Sequence, residues 1–515
     1  MPKGLASHLP SLPPHVFREI FHYLSHAEHI YKGEYLYQRA YRPPLPQWTA
    51  VSRVCRFWRE IALEYPRLWT EIPITKSIHP TFTPEDVDEV TSLFLSRSKR
   101  LPLCIRGLEL FLAQDLGALK LVLPELARIE SLDIGLTSRV FQLFAAQYLP
   151  ARTLQTLHVR NHATAEVLHR FLLCLQTCTL KELTFSVPET YYQSLPWARG
   201  LFPLTLTRLV IGKNTFVRTK PWVVACALGC MLSLEELELH GMFRTSISSY
   251  YTDPKPVHHN TPCFLPRLKC LYLSACAGAS CSFVDLLVVP ALCQISLGLL
   301  SCSDAHTPSL VDLINKRIRC GEVNTLSIGS RGIGFYTKTP GPQPAPCHFY
   351  LTALPDIGTI LPVLSILSLH TITVLSLHSL SPPTRPNWVI LLSHTPNITH
   401  LTLTSSSQAV SPLAWSTESL LDVLLACYAL RPTRVVPYPV LILPKLKTIC
   451  MTGVDVDGRG TGTSSIGVVG WLCAVLRSRI ESGVPVEELV LERCVNADKG
   501  AVGRLVEVVR VVCIE

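Results

Sequence analysis

The sequence predicts a mixed α/β fold in which a small α-helical module is followed by a curved αβ repeat array, a solenoid. Two observations support this fold class. At 515 residues the chain is too long for one compact core. A short pattern with a leucine at its centre returns along most of the chain, whereas residues 1–72 show the spacing of amphipathic helices.

Two helices are predicted in the N-terminal module. The first spans residues 12–24, opens at Pro13 or Pro14, and repeats its apolar side chains on one face. These side chains are Val16, Phe17, Ile20, Phe21 and Leu24. The second lies between Trp48 and Pro66, with Val51, Val54, Cys55, Trp58, Ile61 and Ala62 as its apolar stripe. Pro66 ends it, and Leu68 and Trp69 are expected to follow in an extended segment that covers a small core.

These residues resemble the F-box family, in the form common in fungal proteins. The matching positions are Leu12, Pro13, Pro14, Ile20, Phe21, Leu24, Val54, Cys55, Arg56, Phe57, Trp58, Arg59, Ile61, Ala62, Pro66, Leu68 and Trp69. The chain departs from the family at His15, where a glutamate is usual, and in the long Tyr-rich connection of residues 28–47. An ordinary helical hairpin is the alternative interpretation.

The resemblance implies a docking site for the Skp adaptor of a cullin-RING ubiquitin ligase. The residues it assigns to that site are Leu12, Pro13, Val16, Ile20, Phe21, Leu24, Val54, Cys55, Trp58, Leu68 and Trp69. A working F-box has to expose part of its apolar stripe. We therefore expect these side chains to divide between holding the module together and contacting the adaptor.

Residues 73–100 are predicted to form a linker with a short helix over residues 84–98, and residues 101–512 to form the repeats. The pattern reads apolar, any, any, leucine, any, apolar. Its copies begin at Ile129, Leu154, Leu180, Leu206, Leu234, Leu268, Leu292, Val323, Leu364, Ile398, Leu446 and Val486. The early copies return about every 25 residues, within the range of leucine-rich repeats, which this region resembles. Each copy predicts one short strand.

Amphipathic helices are predicted between the strands, over residues 163–175, 309–318, 419–427 and 468–480. One strand and helix cannot bury their own apolar faces, so stacked units form the core, with a mostly parallel sheet on the concave side. Insertions rich in Gly, Pro, Ser and Thr occur at residues 242–262, 329–346, 404–412 and 453–466. These are predicted to be loops on one face.

Composition excludes several classes of function. The chain is 48% hydrophobic and 17% charged, which is incompatible with bulk disorder. The net charge of +9 is mild and scattered, so no nucleic-acid partner is expected. Residues 358–384 carry no charge, but their period-two alternation favours repeat strands over a membrane span. The 19 cysteines and the absence of a leader indicate buried thiols in a reducing compartment, the cytoplasm, the nucleus or both.

The sequence lacks the common catalytic and metal-binding motifs. No Cys-x-x-Cys occurs, and the pairs Cys174/Cys178 and Cys226/Cys230 have the helical spacing that favours core packing over zinc. Residues 455–463 lack both the glutamate of a calcium loop and the Gly-Lys-Ser/Thr of a nucleotide loop. No Gly-x-Ser-x-Gly elbow is present. We expect no metal, no cofactor and no enzyme activity.

Together the two resemblances imply a substrate-recognition adaptor of a Skp/cullin/F-box ubiquitin ligase. The F-box would bind the Skp adaptor, and the repeats would bind an unidentified protein substrate. Outward strand positions that could contact it are Glu235, Glu236, Glu238, Lys269, Tyr272, Lys445 and Lys447. The alternative is a scaffold or regulatory binding protein whose F-box packs only against its own repeats and recruits no ligase.

Overall fold

The computed structural model describes most of the chain outside the long connections. The described residues are 13–30, 53–74, 83–108, 116–146, 152–161, 163–186, 197–212, 220–241, 243, 262–290, 293–301, 307–320, 323–329, 332–336, 347–352, 367, 369–378, 385–404, 424, 442–454, 468–494 and 499–514. They divide into two units. The first holds Met1–Thr219 and Cys226–Glu238, and the second holds Lys220–Ala225 and Leu239–Glu515.

The first unit begins with helices and continues as alternating strands and helices. Its elements are α1 (Pro14–Ile30), α2 (Arg56–Glu64), a 3₁₀ turn (Pro66–Trp69), β1 (Glu71–Pro73), α3 (Pro84–Arg97), β2 (Leu103–Leu108), α4 (Gly117–Val122), a 3₁₀ turn (Leu123–Arg128), β3 (Ile129–Leu136), α5 (Ser138–Ala146), β4 (Thr156–Asn161), α6 (Ala165–Leu175), β5 (Glu182–Ser186) and β6 (Arg208–Ile211). The boundary between the units runs through α7 (Pro221–Leu228) and β7 (Glu236–His240). Strands β1 to β6 pair in parallel, in chain order.

Most repeat strands begin two residues later than the sequence pattern predicts. Thr207 and Arg208 both donate their amides to the carbonyl of Lys181, at 2.8 and 2.9 Å, and the carbonyl of Gln155 is shared in the same way. Because one carbonyl accepts from two successive amides, the regular hydrogen-bond ladder between strands starts only after the first apolar residue of each copy. That residue is nevertheless buried, as at Leu180 and Leu206, so it belongs to the core although it precedes the strand.

The second unit contains β8 (Cys263–Phe264), β9 (Cys270–Cys276), α8 (Ala277–Asp285), β10 (Leu287–Val288), β11 (Gln294–Ser301), α9 (Thr307–Cys320), β12 (Thr325–Gly329), β13 (Gly332–Tyr336), β14 (Cys347–Thr352), β15 (Val374–His378), α10 (Arg385–Ser393), β16 (His400–Thr404), β17 (Thr448–Thr452), α11 (Val468–Glu481), β18 (Glu488–Glu492), α12 (Lys499–Val506) and β19 (Arg510–Ile514). Strands β15 to β19 pair in parallel, as do β9 and β11. None of the described helices combines the length and apolarity needed to cross a membrane.

An antiparallel hairpin interrupts the parallel order of the second unit. Strand β13 pairs antiparallel with both β12 and β14, while β14 pairs in parallel with β11. The prediction of a surface loop over residues 329–346 is therefore wrong for Gly332–Tyr336. Ile333 and Phe335 are fully buried, and Phe335 packs on Phe349 with ring centroids 6.1 Å apart. Ile333 and Phe335 alternate with glycines, so both lie on the same face of β13, which pairs within the sheet.

One predicted strand is misplaced, and one predicted helix is barely described. Leu367 and Leu369 lie in no strand, so the copy predicted at residues 364–369 is wrong where it is described. The strand is instead β15, which begins within a second copy of the pattern, the copy that starts at Ile372. The predicted helix at residues 419–427 lies outside the described residues except for Leu424, which is helical.

Candidate functional site

The N-terminal module is held together by aromatic rings between α1 and α2. Phe17 meets Phe57 and Trp58 edge-on, with ring centroids 5.6 and 5.2 Å apart, and Phe21 meets Trp58 at 5.8 Å. Phe17 and Phe21 are buried. Such pairs contribute about 0.5–1.5 kcal/mol each beyond the area they bury. Four aromatic rings therefore meet between α1 and α2.

The thiol of Cys55 sets the start of α2. Cys55 has extended backbone geometry, and its Sγ accepts the amide N–H of Trp58 at 3.5 Å. This N-cap begins the helix at Arg56, so Val54 lies in the preceding turn and is 62% exposed. The predicted helical stripe is thus wrong at Val54 and at Cys55, which precedes the helix and is exposed, and Val51 lies outside the described residues.

Trp69 joins the module to the helix that follows it. The predicted extended segment after Pro66 is instead a 3₁₀ turn, which directs Trp69 inward. Its Nε1 donates to the carbonyl of Ala62 at 3.0 Å, and its ring packs edge-on against Phe94 of α3 at 5.0 Å. The guanidinium of Arg97 lies 5.0 Å from the Trp69 ring centroid and also donates to the carbonyl of Leu63. Helices α2 and α3 are therefore linked through the buried indole of Trp69 and through the hydrogen bond from Arg97 to Leu63.

Strand β1 joins the module to the parallel sheet. It pairs with β2 so that Ile72 lies opposite Ile105, and Glu71 forms an ion pair with Arg106 at 2.8 Å. Burial raises the pKa of the neighbouring Cys104 thiol, with Arg106 opposing that effect. This strand was not predicted, because it has only three residues and ends in proline. As a result, the last residues of the module are also the first strand of the sheet.

Several large apolar side chains of the module are exposed, although Phe17 and Phe21 are buried. Ile20 is 38% exposed, Val54 62%, Phe57 45% and Tyr23 69%. The surrounding exposed charges have both signs, as in the ion pair of Arg56 and Glu60 at 2.9 Å. Single apolar side chains are exposed to a similar degree elsewhere in the described residues, as at Ile480 and Val506.

The predicted docking residues fall into three groups. Phe21, Leu68 and Trp69 are buried within the chain, Val16 and Trp58 are half-buried, and Pro13, Ile20, Val54 and Cys55 are exposed. Leu12 lies outside the described residues, and for Leu24 only the helical backbone is described. Phe57 and Tyr23 are exposed residues that the prediction left out. Phe57 belonged to the family motif but lay off the apolar stripe, which is why spacing alone passed over it.

The outward strand positions proposed for substrate contact are partly engaged within the chain. Glu236 and Glu238 form ion pairs with Arg208 at 3.3 and 2.9 Å. Lys447 pairs with Glu487 at 2.8 Å, and Tyr272 packs against His240 with ring centroids 4.5 Å apart. Glu235, Lys269 and Lys445 are exposed or half-buried. The insertions at residues 242–262 and 453–466 lie almost entirely outside the described residues.

The cysteines do not all behave as buried core residues. Cys178 is buried, but Cys174 and Cys226 are exposed, so the prediction of packed thiols is wrong at those two positions. Among the residues that the structure describes, no three His, Cys, Asp or Glu side chains come together as potential metal ligands.

Comparison with known proteins identifies the module. Residues 9–74 match the F-box-like family, so the chain contains an F-box-like domain at its N-terminal end. No curated protein matches the chain. A solved structure, "Crystal structure of Rad7 and Elc1 complex in yeast", contains a chain that is 11% identical, with 70% of this chain and 94% of that chain covered and a TM-score of 0.26. A likeness at that TM-score does not establish a shared fold.

Proposed function

We propose that this chain is the substrate-recognition adaptor of a Skp/cullin/F-box ubiquitin ligase. One observation carries the proposal: residues matching the F-box-like family bury Phe17 and Phe21 and still expose Ile20, Val54 and Phe57. Singly exposed apolar side chains are common on protein surfaces, so these three gain weight from their position within the F-box-like match. Their exposure fits a surface that a Skp-family adaptor covers.

The repeats are proposed to be a leucine-rich-repeat solenoid that holds a protein substrate. Parallel pairing of successive strands and burial of alternate apolar residues, as at Leu183 and Phe185, support this architecture. Ubiquitin transfer would occur on the other ligase subunits. The chain would act without catalysis or a cofactor, by raising the concentration of substrate near the charged conjugating enzyme, in the cytoplasm or the nucleus.

A scaffold that recruits no ligase is the second candidate, and the structure offers one observation in its favour. The module is bound to its own chain through Trp69 and through the pairing of β1 with β2. An F-box-like fold used only as a cap on the first strand would need the same contacts. A cap of this kind does not by itself require Ile20 and Val54 to be exposed.

The test uses the full-length chain, because a fragment ending near residue 75 would lose Phe94, Arg97 and β2. Binding of a purified Skp-family adaptor is measured by titration calorimetry for the wild type and for Ile20→Ala/Val54→Ala. Fully burying one such side chain contributes about 1.5–3 kcal/mol, and the exposed fractions of the two side chains, 38% and 62%, amount to about one complete side chain. We expect the affinity to fall roughly 10- to 100-fold.

The matched control is Ile480→Ala/Val506→Ala. These two residues have the same side chains, lie on α11 and α12, and are 48% and 57% exposed. The control should bind like the wild type. Leu68 is unsuitable for this test because it is 1% exposed, and truncating it would disturb the fold. Absence of binding by the folded wild type at micromolar concentrations would leave the scaffold as the better candidate.

A further inference from the structure

A run of neighbouring strands in the second unit carries no charged residue. Strands β9, β11, β14, β13, β12, β15, β16 and β17 pair in that order, and none of them contains Asp, Glu, Lys or Arg. By contrast, each of β1 to β7, β18 and β19 contains at least one such residue. We call the half-buried side of this run, which alternates with the buried core side, the uncharged face. Charges return at its borders, with Lys269 and Lys447 just before β9 and β17 and Glu488 on β18.

Tyrosines separated by a small residue shape one end of the uncharged face. Ser296 of β11 lies in register between Tyr272 of β9 and Tyr350 of β14. The two tyrosines are therefore about 10 Å apart along the sheet, twice the spacing of neighbouring strands. Tyr272 is braced by His240, with ring centroids 4.5 Å apart. The result is a shallow slot with a hydroxyl at its base and an aromatic ring on each side.

Gly334 allows a third tyrosine to lie over the uncharged face. It is aligned with Tyr350 on the neighbouring strand, and a Cβ on it would lie 2.5 Å from the Cε2 atom of Tyr336. The ring of Tyr336 therefore lies across Gly334, on the same side of the sheet as Tyr350. Hydroxyl side chains continue this row through the next three strands, at Ser327, Ser376 and Thr402.

The composition of the uncharged face matches the centre of protein–protein interfaces, where charged residues are depleted and tyrosine is enriched. Tyrosine rings give a large contact area at a low cost in conformational entropy, and the hydroxyls of serine and threonine donate or accept hydrogen bonds. Burial lowers the pKa of His378 at the end of β15, which disfavours a positive charge there as well. A nucleic acid needs Lys and Arg for its phosphates, which these strands lack. The face therefore fits a polypeptide without charged side chains.

We propose that the uncharged face binds a neutral segment of the protein substrate and does not bind the same segment when it is phosphorylated. This inference rests on the proposed role of the repeats in holding a substrate, and it adds the chemistry of the segment that they hold. A phosphate group on this face loses water without gaining a Lys or Arg partner from these strands. Leaving a charged group desolvated and unpaired weakens binding by roughly 10- to 100-fold. Phosphorylation of the segment therefore releases the substrate.

The test exposes the immobilised full-length chain to a synthetic library of random short peptides in which phosphoserine is one of the residues. Bound peptides are identified by mass spectrometry. The tightest binder is then made with serine and with phosphoserine at one central position, and its Kd is measured by fluorescence anisotropy. We expect bound peptides to be depleted of charged residues, and the phosphoserine form to bind roughly 10- to 100-fold more weakly than the serine form.

Three variants place the site on this face. Thr402→Arg adds a positive charge at the centre of β16 and should reduce the phosphoserine penalty roughly fivefold, the effect of one opposite charge about 4 Å away in water. Thr402→Gln adds bulk without charge and should keep the penalty. The matched control is Thr184→Arg in β5, which should change neither Kd. Thr184 and Thr402 are both the half-buried third residue of a five-residue strand with the same alternation of burial.

Equal Kd values for the serine and phosphoserine peptides, enrichment of charged peptides, or equal effects of Thr184→Arg and Thr402→Arg would overturn the proposal. Capture of no peptide would overturn it too, as would binding of neutral oligosaccharides in place of peptides. Circular dichroism checks the fold of each variant, and the comparison of the two peptides on the wild type needs no variant at all. The Skp-family adaptor is absent from these measurements, so their failure is distinguishable from failure of the adaptor titration.

Discussion

Replacing Trp69 with phenylalanine tests how firmly the F-box-like module is attached to the sheet. The substitution keeps an aromatic ring against Phe94 but removes the N–H that donates to the carbonyl of Ala62. Losing a buried hydrogen bond costs about 0.5–1.5 kcal/mol. The cation–π contact of Arg97 is weaker on phenylalanine than on tryptophan, which costs up to about 0.5 kcal/mol more. The expected loss is therefore about 1–2 kcal/mol, confined to the contacts around α2 and α3.

Hydrogen exchange measured by mass spectrometry is the appropriate assay, because local openings are resolved there and a single melting temperature would average the two units. Amides of α2 and α3 should exchange roughly 5- to 25-fold faster in Trp69→Phe. The matched control is Trp388→Phe in α10. Trp388 is 2% exposed, and its Nε1 meets no hydrogen-bond partner among the described residues. The control should leave exchange of α10 unchanged or slow it.

Exchange of α2 and α3 at wild-type rates in Trp69→Phe would show that the hydrogen bond from Trp69 to Ala62 does not hold this segment. A second informative failure is equal acceleration in the two variants, each around its own helix. That result would mean that ring volume, rather than the hydrogen bond to Ala62, holds the segment.

Two further predictions concern the sheet. Gly212→Ala should destabilise the first unit by about 1–2 kcal/mol, because a Cβ there would lie 3.0 Å from the main-chain oxygen of Phe185. Gly503→Ala in α12 should stabilise the chain slightly, because a Cβ there meets nothing within 4 Å. Segment-resolved hydrogen exchange around β6 and α12 distinguishes the two substitutions, and slower exchange around β6 in Gly212→Ala would contradict the first expectation. Burial lowers the pKa of His378, so below about pH 6.5 the imidazole is protonated more readily in the unfolded chain than in the folded chain. The contribution of His378 to the free energy of unfolding is therefore constant above that pH and is lost as the pH falls below it. Urea unfolding of wild type and His378→Gln at pH 7.5 and 5.5 measures this, and equal losses on acidification would exclude His378 as a contributor.

The repeat strands could be predicted because alternate burial leaves a direct trace in sequence. In β5 the buried Leu183 and Phe185 alternate with half-buried neighbours, and the same order recurs in β16 and β18. The exact strand start could not be predicted, because it depends on a carbonyl shared by two amides of the next strand. That arrangement involves main-chain atoms only, so no residue type reports it.

The parts that prediction missed depend on tertiary contacts rather than local patterns. Strand β1 exists because β2 pairs with it, and three residues ending in proline carry little strand signal. In sequence, segment β13 resembles a glycine-rich loop. It is a strand because it pairs with β12 and β14, and Phe335 packs against Phe349 on β14. At the candidate site, spacing marked Val54 as a helical residue, whereas the Cys55 cap moves it into a turn and exposes it. The resemblance therefore named candidate docking residues but did not separate the buried ones from the exposed ones.

The attachment of the module to β1 also bears on how the proposed adaptor would work. The substrate must be presented at a defined distance from the conjugating enzyme, and a flexible joint would lower its effective concentration there. In this chain the residues after Trp69 enter the sheet within a few positions, and Glu71 is held by Arg106. Trp69, Phe94 and Arg97 brace the same junction from the helical side. A Skp adaptor bound at Ile20 and Val54 would therefore be connected to the first repeats through paired strands and a buried indole, and loosening Trp69 should reduce substrate ubiquitination more than it reduces adaptor binding.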